Sequence, residues 1–237
     1  LKKGETSSVT IIFSEKVIGF NSDNDITSQN GNLSNMSSSD NITWTGTFTP
    51  NDNISDDSNI LTLANTYTDI AGNVGVSSTT ANYQIDTSSP SMAISSSDVT
   101  DGSSSNHTNI GVIFTPSESI TNFEVSDISV TNGAISNFRS SSGLFLATFT
   151  PDNEGATTIN INSNKFLDLN GNNNTASTEF NWNYNTTPPS VIISSTTVSD
   201  GGNTNDYEIT LEFSISKETS NFEVTDIDVI NGSLKNF

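Results

Sequence analysis

Along this chain apolar residues fall at alternate positions in short runs, and most runs end in Gly, Pro, Asn or Asp. In the central stretch Met92-Ala93-Ile94-Ser95 reads as a strand, and residues 109–114 form the next, with Ile110, Val112 and Phe114 on one face. Residues 128–130 and 134–138 flank Asn132-Gly133, a dipeptide that accepts the positive φ of a type I′ turn and predicts a β-hairpin. Residues 144–150 alternate up to Pro151, residues 158–161 alternate again, and residues 176–184 carry Phe180, Trp182 and Tyr184 on one side. Polar loops occupy 98–106 and 168–174. No segment carries a helical period. Seven or so short strands punctuated by turn residues predict an all-β, two-sheet Greek-key sandwich. The aromatic and branched positions, Trp44 and Trp182 among them, are its expected core.

The same order of landmarks returns about every hundred residues. Phe13, Phe114 and Phe213 head corresponding segments, followed by Phe20, Phe123 and Phe222, then Asp25-Ile26, Asp127-Ile128 and Asp226-Ile227, then Asn30-Gly31, Asn132-Gly133 and Asn231-Gly232. Thr49-Pro50 returns as Thr150-Pro151, and Asp69-x-x-Gly72-Asn73 as Asp168-x-x-Gly171-Asn172. A period this long suits a small domain rather than a solenoid unit. The expected division is residues 1–88, a module without its first strand; 89–187, a complete module; and 188–237, a partial one. The phase of the repeat predicts a window on a longer repetitive polypeptide. The expected architecture is therefore a tandem array of sandwiches, extended end to end.

Composition narrows the function. Hydrophobic residues are 31% of the chain, low but compatible with thin sandwiches that turn alternate residues to water. Disorder is excluded because Phe, Ile, Val and Trp recur in register. The net charge is −20, from 27 acidic and 7 basic residues. That excludes a generic nucleic-acid binder, which needs Lys and Arg to displace counterions, and disfavours anionic membranes. It leaves solubility by self-repulsion, or a demand for cations. There is no cysteine, so no disulfide staples the modules, and a bacterial surface protein fits better than a disulfide-bonded animal module.

Three strings carry a resemblance: residues 9–20 (VTIIFSEKVIGF), residues 67–73 (YTDIAGN) and residues 83–90 (YQIDTSSP). Together they resemble the bacterial Ig-like repeats of large surface proteins and biofilm adhesins. The resemblance implies a secreted or cell-surface protein of many sandwich modules, with calcium stiffening the junctions between them. The later copies depart from it. Asn185 stands where the first linker has Asp86, and Lys217-Glu218 falls where the second copy has Glu118.

Successive loops of a Greek-key sandwich alternate between its two ends. At the leading pole of the middle module the strand reading gathers the linker residue Asp86, the loop with Glu118 and Asp127, and the loop with Asp168 and Asn170. These are hard oxygen donors of the kind calcium takes six to eight at a time, and they are poor ligands for zinc or copper. The competing reading is that Asp and Asn only cap turns here; Asp25, Asp127 and Asp226, each before Ile, fit that role. His107 is the sole histidine, so no Ser-His-Asp triad can recur with the modules, and the expectation is that the chain is not an enzyme. The leading expectation is a calcium-stiffened stalk of a bacterial adhesin, partnered by neighbouring modules of the same chain. The alternative is a self-assembling fibre, sheath or surface layer whose copies pair through open strand edges.

Overall fold

The computed structural model describes residues 1–237. It is nearly all β-structure, and the chain divides into two compact units, Leu1–Asn185 and Thr186–Phe237. The first unit holds two successive sandwiches.

The second sandwich is the fuller one. One of its sheets has four strands in the order Met92–Ser95, Ile110–Pro116, Leu144–Pro151, Gly133–Ser141. The other runs Ser104–Ser105, Phe180–Tyr184, Gly155–Ile161, Ile128–Thr131. Alternation does the folding: Ile110, Val112 and Phe114 are buried to within 1% while Gly111 between them is exposed. Phe149 packs edge-on against Trp182 at 4.9 Å. These side chains belong to a single core cluster of thirteen buried residues spanning both sheets. Trp182 is 1% exposed; Trp44 is half-buried at the margin of the first module's core.

The hairpin expected at Asn132-Gly133 is corrected by the strand order. Ile128–Thr131 and Gly133–Ser141 lie in different sheets, so this dipeptide carries the chain across the sandwich. Asn132 takes positive φ (54°) but Gly133 does not, whereas a type I′ turn needs both. Gly133 is there for space. A Cβ on it would stand 2.3 Å from Phe149 Cζ and 2.6 Å from the Thr150 carbonyl. Gly31 meets Phe48 in the same way, at 2.2 Å. The two-residue hairpin is instead Ser142-Gly143, both at positive φ (52° and 81°), between the paired residues Ser141 and Leu144.

The first sandwich repeats this plan with one strand fewer. Its sheet is Ser7–Ile12, Thr43–Pro50, Gly31–Leu33, and nothing corresponds to Met92–Ser95. In both modules the segment just before Ser7–Ile12 or Ile110–Pro116 runs parallel beside the last strand. Lys2 bridges Asp86 in the first, and Ser104–Ser105 pairs with Asn183-Tyr184 in the second.

The unit Thr186–Phe237 contains a two-stranded antiparallel ladder, Val191–Ser195 with Leu211–Ile215. Phe213, Phe222 and Phe237 cluster beside it, with ring centroids 5.3–5.9 Å apart. The pair Phe114–Phe123 of the second module stands at the same 5.9 Å as Phe213–Phe222.

Candidate functional site

The site begins with a two-residue ladder. Ile120–Thr121 pairs antiparallel with Leu167–Asp168, setting Ile120 opposite Asp168 and bringing Glu118 to the same pole. Phe123 and Phe166, packed edge-on at 5.4 Å and both buried, fasten this ladder to the core. The last strand of the first module, Tyr83–Asp86, ends against it. The carboxylate oxygens of Asp86, Glu118 and Asp168 consequently lie within 4.8 Å of one another.

Asp168 is 2% exposed, and Asp86 and Glu118 are half-buried. Asp168 is held by its own loop: its Oδ1 accepts the Asn170 and Asn172 backbone N–H groups, each at 2.8 Å. Asn172 Nδ2 donates to Asp168 Oδ2 at 2.7 Å and to the Asp86 carbonyl at 2.8 Å. Asn172 Oδ1 accepts the Lys3 backbone N–H at 2.8 Å. Asn170, exposed, donates from Nδ2 to Asp86 Oδ2 at 2.6 Å. No lysine or arginine forms an ion pair with any of the three carboxylates. Burial, then the negative charges of Asp168 and Asp86, hold the Glu118 carboxyl above its ordinary value.

Of the five residues singled out in the sequence, Asp86, Glu118 and Asp168 come together and Asn170 touches them. Asp127 stands outside this group. It closes a one-turn 3₁₀ helix, Val125–Asp127, by accepting the Glu124 N–H at 2.9 Å. Asp226 does the same for Glu223, and Asp25 accepts the Asn21 N–H at 2.7 Å. The turn-capping role is what the three copies share.

Asn172 was not anticipated, although its side chain touches both modules. Its signal was in the repeat. In the first module Asn73 gives Asp69 the same two bonds, at 2.8 and 2.6 Å. They hold the Asp69 carboxyl below its ordinary value, the Asn73 side chain contributing most. The Asp-x-x-Gly-Asn loop is thus a self-contained turn that in the second module has a linker laid across it.

The donors fit a hard divalent cation. Three carboxylates converge as hard oxygen donors and form no ion pair with a basic side chain, while Asn170 turns its amide nitrogen to Asp86 and would have to flip to offer oxygen.

The family model described as "Bacterial Ig-like domain" matches residues 1–85 and again residues 86–184. Its two matches meet at the linker residue Asp86. Among solved structures, that of Yersinia pseudotuberculosis InvD is 19% identical, covering 88% of this chain and 64% of its own, with a TM-score of 0.31. The structure of surface layer protein SbsC, domains 4–9, is 11% identical, covering 82% of this chain and 31% of its own, with a TM-score of 0.24. The chain thus spans less than two thirds of either structure. No curated protein matches the sequence. No helix is long and apolar enough to cross a membrane.

Proposed function

The chain belongs to the bacterial Ig-like domain family, and on that premise we propose that it is part of the stalk of a large adhesin on the bacterial cell surface. In this reading its modules are spacers, and calcium stiffens the junction between the first two. The observation that carries the reading is the composition of the acidic group. Asp86 comes from the last strand of one module, and Glu118 and Asp168 from the pole of the next. A ligand shared by all three has to hold both modules.

Bound there, calcium supplies the positive charge that the site lacks. Asp168, fixed by two backbone N–H groups, would be the rigid ligand, Asp86 and Glu118 would complete the carboxylate set, and Asn170 would add an amide oxygen on turning from Asp86. Without a cation each carboxylate pair at 4 Å repels by roughly 1 kcal/mol in water and by more when shielded. Asn170 and Asn172 are then the side chains that bond across the junction. A spacer of this kind performs no catalytic step.

The test is a melting curve and small-angle scattering of the 237-residue chain with calcium and with EDTA. Calcium at a hundredfold excess over its Kd should stabilise the first unit by about 2.7 kcal/mol and narrow its range of conformations. Identical melting and scattering in EDTA would defeat the reading. Light scattering decides against a self-assembling fibre or surface layer if the chain stays monomeric as its concentration rises.

A further inference from the structure

Four Asn-Gly dipeptides punctuate the chain, and one of them, Asn170-Gly171, lies in the junction loop. A glycine after asparagine leaves its N–H unshielded by any Cβ, so that nitrogen can reach the asparagine's own side-chain carbonyl carbon. Whether it does depends on what holds the amide. At Asn132 both ends are held: Nδ2 donates to the Asn153 and Ala156 carbonyls at 2.8 and 3.2 Å, and Oδ1 accepts the Asn153 N–H at 3.1 Å. Asn30 Nδ2 donates to Asp56 Oδ2 and Asn59 Oδ1 at 2.7 and 2.8 Å. Both residues are half-buried, and their glycines, Gly133 and Gly31, pair with Pro151 and Pro50 in the ladders.

Asn170 has little of this restraint. It is exposed, its side chain has a single partner, Asp86 Oδ2, reached through Nδ2 at 2.6 Å, and its Oδ1 accepts no hydrogen bond from the protein. The Gly171 N–H makes only a long bond, 3.4 Å, to the Asp168 carbonyl, and Gly171 holds a positive φ of 87° outside any strand. A Cβ on Gly171 would lie 3.3 Å from Lys2 Nζ, so an ammonium stands beside this peptide. Its charge favours loss of the Gly171 N–H proton. In the first module the same position is Ala71-Gly72, which has no amide to lose.

We propose that Asn170 is a site of spontaneous deamidation, and that the aspartate formed there loosens the junction between the two modules. The Gly171 nitrogen, its proton passed to water, attacks Asn170 Cγ; Nδ2 leaves as ammonia and a succinimide closes. Water then opens the ring at one carbonyl to aspartate, or at the other to β-linked isoaspartate. In sum, asparagine and water become aspartate and ammonia. Either product removes the donor to Asp86 Oδ2 and sets a fourth carboxylate beside Asp86, Glu118 and Asp168, three that already repel one another. Isoaspartate also lengthens the backbone by a methylene between Asp168 and Asn172, the residues whose bonds hold this loop to the linker. The junction therefore slackens as the protein ages.

The experiment incubates the 237-residue chain, folded and in EDTA, at mildly alkaline pH and maps deamidation by peptide mass spectrometry. Asn170 should convert at least about tenfold faster than Asn132 or Asn30, whose held amides and paired glycines must first open. In denaturant the three should convert at similar rates. Asn170→Asp installs the product outright. In EDTA it should melt about 1–3 °C below the parent and exchange faster at the Lys3 N–H that Asn172 accepts. Equal rates at Asn170 and Asn132 in the folded chain overturn the proposal, and this measurement needs no variant to fold. So does an Asn170→Asp protein that melts and exchanges like the parent. Every arm is run without calcium, so the result is independent of whether a cation occupies the junction.

Discussion

Glu118 and Lys217 stand at the same place in successive copies of the repeat, and they invert the charge of the pole they serve. Lys217 Nζ donates to the Thr187 carbonyl, just past the Asn185 that replaces Asp86. The third copy thus carries its own cation where the second has a carboxylate. If calcium holds the first junction as proposed, Glu118→Lys should make the ion dispensable there. In EDTA the variant should melt higher than the parent, by about 1 kcal/mol or more for an ammonium beside two carboxylates, and adding calcium should no longer raise its melting temperature. The same residue sets a pH dependence. Its folded pKa is raised above the ordinary 4.5, so its contribution is complete below that value and is lost as pH rises through the raised one. In EDTA the melting temperature of the parent relative to Glu118→Gln should fall as pH climbs out of the ordinary glutamate range, and calcium should remove that fall. An identical pH profile for the two proteins would count against the close approach of the three carboxylates. Asn172→Ala should loosen the junction even with calcium present, seen as faster exchange at Lys3, because no other side chain bonds both that residue and Asp86.

Strands, taken one at a time, were readable from alternation. Met92–Ser95 coincides with its sequence prediction, and the faces carrying Ile110, Val112 and Phe114 point inward as the period of two requires. Pairing was less readable. Asn-Gly is a strong local signal for a hairpin, but local φ preference cannot say which sheet the next strand joins, and here tertiary packing decides. The recurrence of Gly reflects the ring of Phe149 or Phe48 lying over it, and the working hairpin, Ser142-Gly143, drew no notice because Ser is an ordinary loop residue. Two substitutions separate these roles. Gly133→Ala, at ordinary φ, should cost about 1–3 kcal/mol by overpacking against Phe149. Gly143→Ala, with open space around it, should cost about 1–2 kcal/mol through its left-handed backbone alone. If Gly133→Ala melts like the parent, the packing account fails. At the candidate site the poles were legible because loops alternate between the ends of a Greek key. The division of labour among the aspartates was not, since Asp127 and Asp168 both accept N–H groups of their own turns and only the fold shows which of them also faces Asp86 and Glu118.

Across the molecule the two stretches that match the family share one plan but differ in how deeply their cores are buried. Within these 237 residues the second sandwich buries its core more fully, Ile110, Val112 and Phe114 being sealed where Val9 and Ile11 are half-buried, so chemical denaturation of this chain should proceed in two steps. Amides of Ser7–Ile12 and Thr43–Pro50 should exchange sooner than those of Ile110–Pro116 and Leu144–Pro151, as segments with fewer apolar contacts open more readily. A single cooperative transition with uniform protection would contradict this. The parallel pairing beside each module's last strand has a mechanical meaning. In the second module Asn183 and Asn185 donate their N–H groups to the Ser103 and Ser105 carbonyls. Tension applied along the chain would load those bonds together, sliding one segment along the other rather than peeling them apart singly. A seam of this geometry resists shear.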